Sequence, residues 1–226
     1  MLRKTSLQHT ILPVGLLAAL AIAGTAGTAH ASDWELDAAH TTATFSVRHL
    51  MVSTVEGRFE KVSGNVVLDD ANPARSSVDI SIDASSINTG NAQRDGHLKS
   101  PDFFDVAKYP KLDFKAKKID KAGAGKFKVQ GDLTMHGVTR PVTLDVEGPT
   151  AAVKDPMGRM VRAAVARGKL NRKDWGLTWN KALEGGGVLV SDEVKLEIHA
   201  ELVEVAGKAA ASAEAREPAP PKARNP

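Results

Sequence analysis

The sequence predicts an all-β protein, an eight-stranded antiparallel barrel with one or two short helices between strands three and four. Two observations predict the strands: apolar and polar residues alternate with a period of two along most of the chain, and most linkers between these stretches are short. A third observation predicts the helices, because the alternation changes to a helical spacing within the segment 88–110. Eight such strands close into a barrel that is either filled by side chains or holds one small ligand.

The alternating stretches define the strands in chain order. Apolar residues recur at every second position within 43–47, 78–82, 112–116, 127–133, 142–146 and 194–202. Two further strands are predicted at 57–69, where the apolar parity changes near Gly64 and indicates a β-bulge, and at 160–170. Several of these strands are long enough for a barrel roughly 30 Å tall.

Small residues are frequent at the predicted inward positions, and only 4% of the chain is aromatic. This composition favours a long channel with spare volume. Ala and Gly also occur where a barrel is flattened and its walls touch, so the pattern leaves a channel and a filled core both open. The small inward positions are Ala43, Ala84, Ala116, Gly131, Ala164 and Ala200.

The two ends of the chain differ from its body. Residues 1–31 combine Arg3 and Lys4 with an apolar run and end on Ala-His-Ala, the pattern of a cleavable signal peptide, which predicts export from the cytoplasm. Residues 206–226 are rich in Ala and Pro, have no large apolar side chain and are predicted to be a disordered tail. One domain remains at 32–205.

Charge and cysteine content exclude several function classes. Of the 30 Lys and Arg and the 27 Asp and Glu residues, six and two lie in the end segments, so that 24 and 25 remain and the body carries a net charge of −1. A nucleic-acid interface requires a basic face, and none is predicted. The chain contains no Cys, which excludes thiol catalysis and Cys-based metal sites.

The segment that breaks the strand pattern is 88–110, NTGNAQRDGHLKSPDFFDVAKYP. Arg94, His97 and Leu98 are spaced for one face of a helix. Ser100, followed by Pro and Asp, has the form of a second helix start, and two phenylalanines come next. A helix at this point can cover one mouth of the barrel.

Three roles are open for this segment. In a catalytic role, His97 is a base oriented by Asp95 or Asp102. In a structural role, Arg94 and the carboxylates form a network that fixes the helix to the barrel. In a binding role, Arg94 and His97 form the polar end of a site whose deeper part is apolar.

A metal site is not predicted. His40, His49 and His97 are the candidates, but His40 and His49 are nine residues apart and point to opposite faces of a regular strand. The spacings of known zinc motifs do not occur.

Five blocks follow one another in a fixed order: WELDAAHTTATFSVRHLMVSTVEGRF, INTGNAQRDGHLKSPDFFDVAKYP, GDLTMHGVTRPVTL, NRKDWGLTWN and VSDEVKLEIHAEL. With these blocks the chain resembles the YceI-like family of polyisoprenoid-binding proteins over 33–205. Thr41 stands where the family usually has Ser, and the tail is additional. The first two blocks carry the most specific matches, at Asp37, His40, Phe45, His49, Gly57, Phe59, Thr89, Arg94, Asp95, His97, Leu98, Asp102, Phe103, Phe104, Tyr109 and Pro110.

The resemblance implies an extended, lipocalin-like barrel that holds a long isoprenoid or similar amphiphile along its axis. It also implies a periplasmic location and, for many members, a homodimer. It carries over no catalytic activity. The expected partners are a long-chain isoprenoid or other lipid, a membrane contacted transiently and a second copy of the chain, and not nucleic acid; no metal and no cofactor besides the lipid is expected.

We therefore predict a periplasmic carrier or sequestering protein for a polyisoprenoid or another long-chain lipid. One alternative is an enzyme or redox partner acting on an isoprenoid quinone, with His97 and Asp95 in proton transfer. Another is a stress-protective module with a filled barrel and a functional outer surface. The predicted ligand-binding residues are Phe45, Val47, His49, Phe59, Ile80, Ile82, Arg94, His97, Leu98, Phe103, Phe104, Leu112, Phe114, Leu133, Val142, Leu144 and Trp175.

Overall fold

The computed structural model of the chain describes residues 31–205. The predicted signal peptide, except its last residue, and the predicted tail lie outside the described residues. Within 31–205 no helix is long and apolar enough to cross a membrane. The strands are β1 Ser32–Leu36, β2 Thr42–His49, β3 Ser53–Phe59, β4 Val62–Leu68, β5 Ser77–Asp83, β6 Ile87–Asn88, β7 Lys111–Gly123, β8 Lys126–Met135, β9 Val138–Glu147, β10 Val153–Lys154, β11 Met160–Asn171 and β12 Glu193–Glu204; the α-helix is α1 Ala92–Lys99, and 3₁₀ turns occur at Pro73–Arg75, Ala84–Ser86 and Arg172–Trp175.

Eight of these strands close a barrel. Their order around it is β11, β9, β8, β7, β5, β4, β1 and β12, and β12 pairs back with β11 from Val161↔Val203 to Asn171↔Glu193. Every pairing is antiparallel. The predicted eight-stranded antiparallel barrel is therefore confirmed.

The strand β12 is long enough to pair with two strands along the same edge. Its residues 202–204 pair with β1, and its residues 195–199 pair with β2. In turn β4 pairs with β1, and β3 pairs with β2. β1 and β4 therefore lie beside one part of β12, whereas β2 and β3 lie beside another part and extend the wall beyond the closed part of the barrel.

The prediction of one bulged strand at 57–69 was wrong. Two strands occur here, separated at Glu60 and Lys61, whose backbone N–H groups both donate to the hydroxyl of Ser86 at 3.1 Å. The inward parity changes across this break, so that Phe59 and Val62 are both buried. The strand β1 was not predicted, because its five residues form too short a pattern to distinguish it from a loop.

The predicted helix between the third and fourth strands is present as α1. Its N-cap is Asn91, whose side chain accepts a hydrogen bond from the backbone N–H of Arg94 at 3.0 Å. The second predicted helix, starting at Ser100, does not form. Ser100 instead ends α1, and residues 103–106 fold back on it through bonds such as Phe104 N–H to the Leu98 carbonyl at 3.0 Å. These turns occupy the carbonyl groups that α1 leaves unpaired at its C-terminus.

Two clusters of buried apolar side chains stabilise the barrel. One includes Phe59, Leu112 and Trp175 and lies at the end of the barrel near α1. The other contains Trp34, Val66 and Leu202 and lies towards the opposite end of β4 and β12. The space between the barrel walls is not filled by either cluster.

Candidate functional site

A cavity of about 510 Å³ extends along the inside of the barrel. Side chains from all eight barrel strands line it, together with residues of α1, of the segment after it and of the extended wall formed by β2 and β3. The sequence left open whether the barrel holds a channel or a filled core, and the structure contains a channel.

Small side chains create the width of this channel. Ala164 on β11 and Ala200 on β12 are partners in the register of the two strands, and both line the cavity. Ala43 and Ala166 line it as well. Because these inward positions carry only a methyl group, the wall formed by the neighbouring strands β11 and β12 leaves space for the channel beside it.

The structure brings nearly all of the predicted site residues together at this cavity. Trp175 is the exception: it is almost fully buried in a core cluster, where its indole N–H donates to the Leu133 carbonyl at 3.0 Å, and it does not line the cavity. That the others contact a ligand remains a prediction. The predicted residues that line the cavity are Phe45, Val47, His49, Phe59, Ile80, Ile82, Arg94, His97, Leu98, Phe103, Phe104, Leu112, Phe114, Leu133, Val142 and Leu144.

Some lining residues were missed by the sequence analysis. Ile119 faces the cavity because the β7–β8 register shifts between Ala116 and Lys118, which reverses the parity of the strand. Leu177, Trp179, Leu189 and Val190 come from the irregular segment between β11 and β12, where no alternation reveals which side chains point inward. The signal in the sequence was a pair of tryptophans, Trp175 and Trp179, within this otherwise largely polar segment.

Arg172 holds this irregular segment in place. Its guanidinium donates to the backbone carbonyls of Leu177, Trp179 (2.9 Å) and Ser191 (3.0 Å) and contacts the carboxylate of Asp192 at 3.2 Å. Burial lowers the pKa of Arg172, and the negative charge of Asp192 opposes that shift. A buried cation thus fixes two apolar lining residues of the cavity.

The α1 end of the cavity is polar. The Arg94 guanidinium donates from Nε to the Thr89 hydroxyl at 2.7 Å and from Nη2 to the Thr89 carbonyl at 2.8 Å. The Thr89 hydroxyl donates in turn to Asp95 Oδ1 at 2.6 Å. Among residues 31–205, Arg94 Nη1 makes no hydrogen bond to the protein, so one guanidinium nitrogen remains for a ligand.

An aromatic cluster surrounds His97 at the same end. The imidazole ring meets the ring of Phe103 edge-on, with centroids 5.1 Å apart, and the ring of Trp179 at 4.8 Å. Its Nε2 lies 2.9 Å from Asp102 Oδ2. Asp95 is engaged by Thr89, so the carboxylate that orients His97 is Asp102.

The opposite end of the cavity is lined by two carboxylates that already have cationic partners. Asp69 contacts Arg75 Nη2 at 2.6 Å, and Asp70 contacts Arg162 Nη1 at 2.9 Å. The backbone N–H of Asn72, followed by Arg75, holds the pKa of Asp69 below its usual value. This end is therefore polar but close to neutral in charge.

The histidines considered for a metal site do not converge. His49 and His97 line the cavity, whereas His40 does not. His40 Nδ1 lies 3.3 Å from Asp37 Oδ2 and 3.4 Å from Glu201 Oε1, a set of donor types that metals use. Arg159 Nη1 lies 3.8 Å from the same Asp37 oxygen and supplies a positive charge there.

The fold of this chain recurs in known proteins. The model of the YceI-like domain matches residues 34–202. The chain belongs to this family. A UPF0312 protein of Vibrio cholerae is 35% identical over 200 residues, which cover 88% of this chain and all of the relative.

Two solved structures show the same fold. The YceI protein of Campylobacter jejuni is 33% identical, with a TM-score of 0.59 over 70% of this chain and 90% of that one. A polyisoprenoid-binding domain from Saccharophagus degradans is 18% identical, with a TM-score of 0.53 over 76% of this chain and 98% of that one. At this identity the second comparison concerns the fold alone.

Proposed function

We propose that the protein is a periplasmic carrier that holds a polyisoprenoid or another long-chain amphiphilic lipid inside its barrel. The observation that carries this proposal is the axial cavity of about 510 Å³, whose middle is apolar and whose polar groups are at its two ends. An amphiphile has the same arrangement, with a long apolar chain and a polar head group.

The dimensions of the barrel suit an extended chain. The strand β12 has 12 residues, which at ~3.3 Å per residue and a tilt near 40° span roughly 30 Å along the axis. Each buried CH₂ group contributes about 0.8 kcal/mol, less the cost of ordering the chain. The walls alone therefore supply most of the affinity.

The α1 end is the proposed head-group site. Arg94 Nη1 is free of protein partners among the described residues, and His97, one turn further along α1, lines the same cavity. A guanidinium binds phosphate or carboxylate with strong hydrogen bonds. The other end has its carboxylates neutralised by arginines and suits the tip of an apolar chain.

Two features outside the cavity support the proposal. The polyisoprenoid-binding domain of Saccharophagus degradans shares the fold, and residues 1–31 have the pattern of an export signal. We propose the same ligand class and a periplasmic location for this chain. A homodimer and a role in stress protection remain predictions.

A second candidate is an enzyme or redox partner acting on an isoprenoid quinone. The His97–Asp102 pair favours it, because a histidine oriented by a carboxylate at a cavity can transfer a proton. The originally predicted partner, Asp95, is bound to Thr89 and is not available. A bound quinone would give an ultraviolet band in the purified protein, and a polyprenyl phosphate would not.

Organic extraction of the purified full chain, followed by mass spectrometry, tests the proposal directly. We expect one long-chain amphiphile in stoichiometric amount, or uptake of added geranylgeraniol by protein that has been stripped with detergent. An empty extract together with no uptake of the added probe contradicts the carrier function.

A further inference from the structure

The turn between β2 and β3 exposes three large apolar side chains beside the α1 end of the cavity. Leu50, Met51 and Val52 are 41%, 53% and 78% exposed. The residue before them, His49, lines the cavity, and Leu50 N–H donates to the carbonyl of Leu189, another lining residue, at 2.8 Å. The apolar tip is thus continuous with the cavity wall.

The backbone of this turn is unfavourable for the residues it carries. Val52 N–H donates to the His49 carbonyl at 3.0 Å, which closes a β-turn inside the three-residue loop between the paired residues His49 and Ser53. Leu50 and Met51 occupy its centre with φ of 52° and 60°. Such turns favour Asn-Gly, because side chains with a Cβ are strained at positive φ. Neither side chain is buried, so burial does not offset the backbone strain of this exposed apolar turn.

The side chain of Arg48 stabilises the turn by hydrogen bonds to its backbone. The Arg48 guanidinium donates from Nη2 to the carbonyls of Met51 (3.2 Å) and Val52 (2.8 Å) and from Nη1 to the Thr54 hydroxyl (3.1 Å). Its charge therefore lies at the base of the turn, behind the apolar side chains. Lys181, which is exposed, begins the adjoining hairpin.

The adjoining hairpin does not obstruct the tip. Its end consists of three exposed glycines, 185–187, and a Cβ built on Gly187 would lie 3.4 Å from Met51 Cγ. The tip is therefore flanked by backbone without side chains. The same hairpin carries the exposed Glu184, whose negative charge equals the positive charge of Lys181.

We propose that the Leu50–Val52 turn inserts into the surface of a phospholipid bilayer and brings the α1 end of the cavity against the membrane. The purpose assigned to this contact, transfer of lipid between bilayer and cavity, rests on the proposed carrier function. Apolar side chains at a tip with cations at its base are the pattern of interfacial membrane binding. A second protein copy would need a broad complementary face of roughly 800 Å² per partner, and three side chains on a convex turn do not provide one.

The experiment compares two double variants of the full chain. The test variant is Met51→Ser with Val52→Ser. The matched control is Val153→Ser with Met157→Ser, because these side chains are 59% and 74% exposed on the β10–β11 hairpin, at the end of the barrel away from α1. Co-flotation is measured with vesicles of phosphatidylcholine and of an equimolar mixture with phosphatidylglycerol. Uptake of geranylgeraniol is measured both from these vesicles and from dilution out of ethanol.

We expect the test variant to bind vesicles about tenfold more weakly than the wild type, since two apolar side chains no longer enter the interface. Its uptake from vesicles slows by a similar factor, whereas its uptake from ethanol is unchanged. The control variant behaves like the wild type. Because Glu184 reduces the net positive charge, phosphatidylglycerol strengthens binding only modestly.

The proposal is overturned if the wild type does not float with either vesicle, or if the test and control variants lose vesicle binding equally. It is also overturned if the test variant changes only the molar mass of the protein in solution, measured by light scattering. That result would assign the turn to contact with a second copy of the chain. A wild type that binds vesicles through this turn but takes up no geranylgeraniol from ethanol supports the membrane contact and contradicts the carrier function. The two proposals therefore fail separately.

Discussion

The ring of Phe104 meets the ring of Phe59 edge-on, with centroids 5.7 Å apart and ring planes at 84°. Phe59 is buried on β3, and Phe104 belongs to the turns that fold back on α1. Both side chains line the cavity. The pair therefore joins the segment that covers the α1 end to the barrel wall, and such a contact stabilises by about 0.5–1.5 kcal/mol.

Phe104→Asp should weaken lipid uptake while the barrel still folds. A carboxylate at this position loses the contact with Phe59 and must give up water when an apolar chain enters. We expect affinity for geranylgeraniol, measured by displacement of a fluorescent fatty acid, to fall at least about tenfold. The control is Phe104→Leu, which keeps an apolar threshold. Unchanged affinity in the Asp variant, with wild-type circular dichroism, would remove Phe104 from the ligand path.

Ala164→Phe should block the channel with little loss of stability. Ala164 and its partner Ala200 form a wide part of the cavity, so a phenyl ring can occupy space that a ligand would otherwise fill. Overpacking a filled core costs about 1–3 kcal/mol, and we expect less than that here. Lipid stoichiometry after extraction should fall well below that of the wild type.

Ala163→Phe is the matched control, because Ala163 is the preceding residue of β11 and is exposed on the outer face. Its lipid content should equal that of the wild type. If urea unfolding shows that Ala164→Phe lowers the free energy of unfolding by the full 1–3 kcal/mol of an overpacked core, roughly as in a filled interior, the cavity has no spare volume at this position. If the variant retains its lipid, the cavity is not the ligand site.

The strand pattern was sufficient to predict most of the cavity wall. Ile80, Leu144 and Phe45 were assigned inward because a period-two pattern fixes the face of every residue once one face is buried. The same rule failed wherever the period was interrupted. Ile119 follows a register shift in β7, and the break between β3 and β4 depends on the Ser86 hydroxyl, which lies far along the chain.

The remaining parts of the site depend on contacts that no local pattern encodes. Trp179 reaches the cavity because Arg172 binds its backbone carbonyl, and Trp175 turns into the core instead. That the channel is open could not be decided from composition, because it depends on the small residues Ala164 and Ala200 coming together on the inner side of the neighbouring strands β11 and β12. The α1 segment was predictable as a helix, but its C-terminal turns were not.

Arg94→Gln should reduce the preference for an anionic head group. The wild-type guanidinium keeps Nε and Nη2 on Thr89 and offers Nη1 to the ligand, whereas a glutamine has no charge. A hydrogen bond to a charged group contributes about 1.5–3 kcal/mol, so affinity for geranylgeranyl phosphate should fall about tenfold or more. Affinity for the neutral alcohol geranylgeraniol should change much less. Isothermal titration calorimetry with both ligands measures the difference.

Lys99→Gln controls for the loss of one positive charge from α1. Lys99 is on the same helix but does not line the cavity. We expect this variant to bind both ligands as the wild type does. An equal loss for the phosphate and the alcohol in Arg94→Gln would assign Arg94 to the structural role, in which it fixes the helix to Thr89.

Because of Asp69, the free energy of unfolding of the barrel should decrease as the pH falls in the acidic range. Its carboxylate accepts bonds from the Asn72 backbone N–H at 2.7 Å and from Arg75 Nε at 2.7 Å, and these hold the pKa of Asp69 below its usual value. A lowered pKa in the folded state means that the carboxylate stabilises fully above the unfolded pKa of about 3.9 and that this contribution is lost as the pH falls through the lower folded value. Urea unfolding should therefore show that Asp69→Asn is less stable than the wild type near neutral pH. The difference in the free energy of unfolding between the two proteins should become smaller below about pH 4. The control is Asp70→Asn. Asp70 is the exposed partner of Arg162, so this variant should differ less from the wild type in its free energy of unfolding. A stability difference for Asp69→Asn that is the same at neutral and acidic pH would show that the charge of this carboxylate does not stabilise the end of the barrel opposite α1.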